Sequence, residues 1–264
     1  MTWILAYLVA GTVIGFFAGL LGIGGGMTLV PILAALFTAQ QMVPEHVMHL
    51  ALGTSMAAVL FTGSASVREH HKLGSVDWGV VKRLAPPMAA GTLLSTLASG
   101  WLPQRALALA FAVIVVGAAT QIWVGRKPRP GHGLPGSVAL WGVGLIIGVI
   151  AGLVSAGGAF LSMPFMMRCG VPVRTAIGTG AALGLPVAVL GTAGYAASGW
   201  TASGLPAGSL GFVLLPALAG VVVASTLTAP FGARLAHRLP VTTLRRLFAV
   251  VLYLLAAKMA ISYT

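Results

Sequence analysis

The chain alternates long apolar runs with short polar connections. Stretches free of Asp, Glu, Lys and Arg cover residues 1–38, 47–67, 84–104, 106–125, 138–167 and 175–233, and 247–257 continues into apolar flanks. A helix needs about 20 predominantly apolar residues to cross the hydrocarbon of a bilayer, so these runs predict membrane-spanning helices. The short alternating segments of a transmembrane β-barrel are missing. Two of the runs are interrupted by glycines in the same way. Residues 15–31 read GFFAGLLGIGGGMTLVP and residues 148–164 read GVIAGLVSAGGAFLSMP. Gly15, Ala18, Gly19, Leu20, Gly24, Gly25 and Pro31 recur 133 positions later as Gly148, Ala151, Gly152, Leu153, Gly157, Gly158 and Pro164. Paired glycine breaks at matching positions in two halves point to the midplane binding site of a secondary transporter.

Three further apolar segments follow each break, at 47–67, 78–99 and 105–124 and again at 174–197, 206–229 and 242–262. Ala51-Leu52-Gly53-Thr54-Ser55 is echoed by Ala176-Ile177-Gly178-Thr179-Gly180, and Pro87 with Gly91 by Pro216 with Gly220. This predicts repeats at 1–124 and 137–264 joined by a basic linker at 125–136, whose Arg, Lys and Pro residues do not belong in lipid. Charge then orients the halves. The loop at 39–46 carries Glu45 and no cation, whereas its counterpart carries Arg168 and Arg174; the connection Arg68 to Arg83 is basic, whereas 198–208 is uncharged. Arg105 stands alone against Arg234, Arg238, Arg245 and Arg246. By the positive-inside rule the segments 68–83, 125–132, 168–174 and 234–246 face the cytoplasm. Each broken segment must then enter and return. The expected fold is an all-α polytopic membrane protein of two inverted-topology repeats, each a glycine-broken returning hairpin plus three transmembrane helices, with both termini periplasmic.

Composition agrees with the pattern. Hydrophobic residues make up 58% of 264 and charged residues 7%, with a mean hydropathy of +1.00, where soluble domains carry about 25% charged residues. The net charge of +12 reflects a shortage of acids, three in all. Its cations sit between apolar runs, which is topology rather than nucleic-acid binding. No basic n-region precedes the first run, so a retained helix rather than a cleaved signal is expected there. Cys169 is the lone cysteine, which excludes an internal disulfide and cysteine-based metal centres.

The breaks are where chemistry is expected. Glycines at 22, 24, 25, 26, 157 and 158 stop the helix and leave backbone N–H groups facing a cavity rather than lipid. Half-helices restarting near Met27 and Ala159 would aim their positive ends, about half a charge each, into the gap between repeats, where an anion fits. Close helix packing is the competing explanation, and Gly11/Gly15/Gly19 and Gly144/Gly148/Gly152 fit it better than the breaks do. Gly24, Gly25, Gly26, Gly157 and Gly158 are therefore the candidate substrate-binding glycines. Thr28, Ser155 and Ser162 flank them, and Thr54, Ser55 and Thr179 sit at related places on the next helices; each hydroxyl could instead bond its own backbone. No Asp or Glu lies inside an apolar run, so His49 is the titratable candidate for proton coupling. Neither His46 with His49 nor His70 with His71 has the ligand set of a metal site.

The two glycine motifs, Gly53-Thr54-Ser55 with its Gly178-Thr179 echo, and His71-Lys72-Leu73-Gly74-Ser75-Val76-Asp77-Trp78 ahead of Pro86-Pro87 together resemble the sulfite exporter TauE/SafE family of membrane permeases over nearly the whole chain. The resemblance implies export of sulfite, sulfoacetate or a related sulfur-containing anion across the bacterial inner membrane. The residues themselves favour a small oxyanion and do not identify sulfur. A secondary transporter without cofactor is expected, since no GxxxxGK[ST] motif is present. For the alternative of an integral membrane enzyme the chain offers no buried acid–base pair, His/carboxylate metal set or Gly-x-Ser-x-Gly elbow, and for a scaffolding subunit two broken helices would be costly, with several unpaired backbone groups to accommodate. The partners expected are a small anion and the lipid bilayer, no nucleic acid, with a homo-oligomer left open.

Overall fold

A computed structural model describes residues 2–21, 25–124, 133–236 and 241–263. Gly22, Gly24, linker residues 125–132 and Arg238 lie outside the described residues. Among the described residues every regular element is a helix apart from one short hairpin. Helix α1 spans Thr2–Leu21, α2 Gly26–Ala39, α3 Val47–Lys72, α4 Trp78–Ser99 and α5 Gln104–Val124. After the linker come α6 at Ser137–Leu153, α7 at Ala159–Arg168, α8 at Val173–Ser198, α9 at Leu215–Ala236 and α10 at Val241–Tyr263. Of these, α3, α5 and α8 are each long and apolar enough to cross a membrane. The chain is a multi-pass membrane protein.

Both broken segments restart as shorter helices, and the first one demonstrably turns back. Near the start of α1 the Tyr7 hydroxyl donates to Gln40 Oε1 at 2.9 Å, just beyond the end of α2, and the Tyr7 ring meets Phe37 edge-on. On that face of the bundle α3 begins, since His49 Nε2 lies 3.0 Å from the Ser99 carbonyl at the end of α4. The opposite face holds the 73–77 turn, where a Cβ on Gly178, early in α8, would touch the Ser75 backbone at 2.5 Å. Tryptophans mark both faces. Trp3, Trp101 and Trp200 stand at the first and Trp78, Trp123 and Trp141 at the second, every one of them exposed, as expected for side chains placed at the two water–lipid boundaries.

Glycine sets how closely the helices approach. Helix α1 runs along α9, and α6 runs along α4. A Cβ on Gly11 would fall 2.6 Å from the Val221 carbonyl, and one on Gly15 would collide with the Ser225 backbone. On the other side a Cβ on Gly148 would collide with the Met88 carbonyl, and one on Gly144 would come within 2.7 Å of Pro87. The approach allows Thr92 Oγ1 to lie 2.9 Å from both the Met88 and the Gly148 carbonyls, a polar tie between helices. Lipid offers no hydrophobic drive for helices to associate, so such backbone-close packing carries the association.

One apolar run departs from the helical expectation. Within 206–229, Ser209–Leu210 and Val213–Leu214 pair as an antiparallel hairpin, and α9 starts only at Leu215. Gly211, at φ 54°, supplies the left-handed backbone of the turn, and Gly208, at φ 83°, bends the chain just before the first strand. Pro216 is thus the second residue of α9, where a proline is tolerated, and not a counterpart of Pro87 deep inside α4. Packing gives another correspondence: Gly148 meets Met88 as Gly15 meets Ser225, and α4 and α9 start at Trp78 and Leu215. Both pairs are 137 residues apart rather than the 129 that separate the prolines.

Gly148→Ala should therefore overpack the α4–α6 contact, at a cost of about 1–3 kcal/mol, and lower the folded yield in fluorescence-detected size exclusion. Gly117→Ala, where a Cβ meets nothing within 4 Å, should leave that yield unchanged or raise it through helix propensity. Equal yields from the two variants would contradict the packing role.

Candidate functional site

The breaks are built alike. Gly25 (φ 68°, ψ −9°) caps α2 and Gly158 (φ 74°, ψ −19°) caps α7, both in the left-handed region and neither with a side-chain cap. Each carbonyl accepts the first helical bonds: Thr28 and Leu29 N–H donate to Gly25 at 3.2 and 3.0 Å, and Leu161 and Ser162 N–H donate to Gly158 at 3.2 and 3.0 Å. The N–H groups ahead of those donors have no intrahelical acceptor. They lie at the positive end of a helix dipole.

The two breaks also meet. A Cβ on Gly26 would run into the Ser155 carbonyl and come 2.9 Å from one Val59 methyl, while a Cβ on Gly157 would come 3.2 Å from the other. Val59 of α3 thus packs against both the start of α2 and the turn before α7. A Cβ on Gly158 would lie 2.6 Å from Met88 Cε, so a larger residue there meets both backbone strain and a packed side chain. Gly24, second of the four expected glycines in the first break, falls outside the described residues.

The hydroxyls divide into three groups. Ser55 and Ser162 are fully buried, and neither Oγ has a partner. Ser162 Oγ lies 3.6 Å from where a Gly180 Cβ would sit, so Gly180 leaves room beside it. A buried hydroxyl with no partner costs free energy that a ligand could restore. Thr28 Oγ1 bonds the Gly25 carbonyl at 2.8 Å, and Ser155 Oγ donates to the Leu52 carbonyl at 2.7 Å, so both are engaged in holding the breaks. Ser155 itself stands at φ 50°. Ala156 N–H reaches the Ala151 carbonyl and Ser155 N–H the Gly152 carbonyl, which is the Schellman ending of α6 with a serine where glycine is usual.

Thr54 and Thr179 form the third group. Thr54 Oγ1 accepts the Leu214 N–H at 3.0 Å, and Thr179 Oγ1 accepts the Asp77 N–H at 2.9 Å. Gly53 and Gly178 just before them let the Phe212 and Ser75 backbones approach. Each Gly-Thr pair therefore clasps the chain at the entrance of a helix in the other half. Asp77 completes its own entrance by accepting N–H bonds from Gly79 and Val80.

His49 lies near the first face, away from the breaks. Its Nε2 is 3.0 Å from the Ser99 carbonyl and 3.1 Å from that of Leu102, and its ring lies 4.7 Å from the Phe212 ring. Nδ1 is buried without a partner. Sequence reasoning missed Tyr195, whose buried hydroxyl donates to the Gly152 carbonyl at 2.9 Å and so satisfies an end of α6 at the break. It also missed Val59 and Met88. A tyrosine inside an apolar helix was the available signal, because its hydroxyl requires a partner.

The Sulfite exporter TauE/SafE family model matches residues 7–259. The chain belongs to the TauE/SafE family. Among its relatives, a probable membrane transporter protein of Haemophilus influenzae is 35% identical over 98% of both chains. The probable membrane transporter protein YdhB of Bacillus subtilis is 24% identical over 88% of this chain and 90% of its own, and YunE of the same organism 23% over 65% and 70%. No solved structure matches. This TauE/SafE member is thus a membrane transporter.

Thr54→Val and Thr179→Val should each orphan one backbone N–H of the clasp and destabilise the protein by about 1–3 kcal/mol, while Thr→Ser at either position keeps the acceptor. Thermal unfolding without added anion is the measurement. Unchanged stability in both valine variants would remove the clasp role.

Proposed function

We propose that this protein is a secondary transporter that exports a small sulfur-containing anion, sulfite or an organosulfonate, held at mid-depth between the two helix breaks. The observation that carries the reading is the pair of left-handed glycines, Gly25 and Gly158, each opening a half-helix without a side-chain cap, with the unpartnered Ser55 and Ser162 hydroxyls buried on α3 and α7. Helix-start N–H groups and hydroxyls are donors that suit an oxyanion. The proposed binding set is Gly24, Gly25, Gly26, Gly157 and Gly158, with Ser55 and Ser162 as direct hydroxyl contacts. Thr28, Thr54, Ser155 and Thr179 complete it mainly by holding the breaks and helix entrances in place. His49, with its open Nδ1, is the proposed proton-coupling residue.

In this reading, residues 1–124 and 137–264 are inverted repeats joined by a cytoplasmic linker at 125–136, in the inner membrane with both termini periplasmic. Support comes from the exchange of equivalent contacts. Helix α1 packs on α9 as α6 packs on α4, and the two clasps repeat with Ser75 and Asp77 answered by Phe212 and Leu214. Cations concentrated in alternate connections supply the orientation. Alternating access would then be a rocking of one half against the other about the breaks.

Gly25→Val and Gly158→Val are expected to abolish sulfite-stimulated thermal stabilisation and liposome flux in protein that still folds, since valine resists the left-handed backbone. Ser55→Ala and Ser162→Ala should weaken binding by about tenfold each, the effect of one lost hydrogen bond. The flux panel includes sulfite, sulfoacetate, thiosulfate, sulfate and acetate with and without a pH gradient, and His49→Gln should flatten the pH response. Wild-type binding in folded Gly25→Val and Gly158→Val would end the proposal.

For the topology, single cysteines in a Cys169→Ser background should be labelled from the periplasm at position 43 and from the cytoplasm at positions 131 and 170. Labelling of 43 and 170 from one side would refute the inversion.

A further inference from the structure

One cavity stands on the first face, apart from the breaks. A cavity of about 730 Å³ opens between the outer half of α2, the start of α5 and the end of α10. Its inner wall is apolar, with Pro31, Ala34, Val47 and Met259 all buried. Arg105 from α5 and Lys258 from α10 also line it, and both are exposed. From Pro31 to Thr38 the wall runs about 10 Å along the axis of α2 at about 1.5 Å per residue.

Among the described residues no carboxylate lines the cavity; Glu45 is on the neighbouring loop but not in the lining. The one ion pair among the described residues joins Lys72 to Glu69 at the opposite face. Two amides add polar capacity. Gln104 carries a buried Oε1 with no partner, and since amide orientation is interchangeable, that position can equally present an N–H donor. Gln41 stands at φ 53° at the Schellman ending of α2, where Met42 N–H bonds the Phe37 carbonyl. Helices α3 and α7 end in the same way on Gly74 and Gly170. A glutamine there accepts backbone strain that glycine would avoid, and it keeps a side chain on the cavity lining.

We infer that this cavity binds an amphiphilic anion, with its charged head between Arg105 and Lys258 and its apolar tail along α2 against Pro31, Ala34 and Met259. Two cations without a carboxylate select the head by charge. The buried apolar wall selects the tail by removing it from water. Cationic pockets between helix ends at the membrane boundary suit such ligands. A bilayer phospholipid and a soluble alkanesulfonate share this chemistry, and the site does not depend on the anion site at the breaks.

The test uses the full chain in phosphatidylcholine nanodiscs, titrated calorimetrically with decane-1-sulfonate and corrected with empty nanodiscs. The double variant Arg105→Gln/Lys258→Gln should weaken binding by at least about tenfold, the loss expected for one or more charge-assisted contacts, and Arg105→Lys/Lys258→Arg should restore it. Ethanesulfonate, which has the head without the tail, should bind far more weakly. Gly25→Val should leave decane-1-sulfonate binding intact even where sulfite binding is lost, so the two sites fail separately. Displacement by phosphatidylglycerol would identify lipid as the source and its failure a soluble anion; either supports the anionic-head site. Unchanged affinity in the glutamine double variant, or displacement by decanol as effective as by the sulfonate, would overturn the proposal.

Discussion

A backbone inside hydrocarbon cannot leave its N–H and C=O groups unpaired, and this constraint shapes everything around the two helix breaks. Each interruption exposes polar groups at depth, so each must be enclosed by protein. At the end of α6 the enclosure is visible in detail. Ser155 adopts the left-handed turn that lets Ala156 bond back to Ala151, Tyr195 crosses from α8 to bond the Gly152 carbonyl, and Ser155 Oγ bonds the Leu52 carbonyl of α3. The N-terminal groups of α7 and α2 receive no such side-chain caps. The carbonyl side of the break is closed by protein, while the N–H side retains donor capacity, and that asymmetry favours a negatively charged occupant.

The glycines serve three different physical ends that a sequence shows as one residue type. At Gly11, Gly15, Gly144 and Gly148 the missing Cβ admits another helix. Gly53 and Gly178 admit a connecting segment whose next N–H but one is taken by Thr54 or Thr179. Gly25 and Gly158 are needed for their left-handed backbone. The first two uses hold the halves together across their interface, and the third opens the helix. A transporter needs both, since a site that must change its exposure has to be anchored by contacts that survive the change.

Charge is arranged as economically as the hydrogen bonds. Only three acidic residues occur, and among the described ones Asp77 acts as a helix cap and Glu69 holds Lys72. Arg105 and Lys258 meet at one cavity although they are far apart in sequence. Neither is remarkable along the chain, and only the antiparallel packing of α5 on α10 brings them together.

By itself the sequence determined the membrane class, most of the helix runs, the two breaks and helix restarts near Met27 and Ala159, which the structure places at Gly26 and Ala159, because hydrophobic length and glycine placement are local properties. The packing glycines were legible for the same reason: a small residue every fourth position forms a continuous groove on one helix face. Hydrogen-bond partners were not legible. Nothing local distinguishes Thr54, which accepts a backbone N–H 160 residues away, from Ser55 beside it, whose hydroxyl has no partner. The pairing of Pro87 with Pro216 failed because residues 209–214 form a hairpin and shift the start of α9, a choice made by left-handed glycines and by contact with α3 and α8. Tertiary structure alone decided which hydroxyls are engaged and where the breaks meet at Val59, since both depend on the packing of helices from different halves.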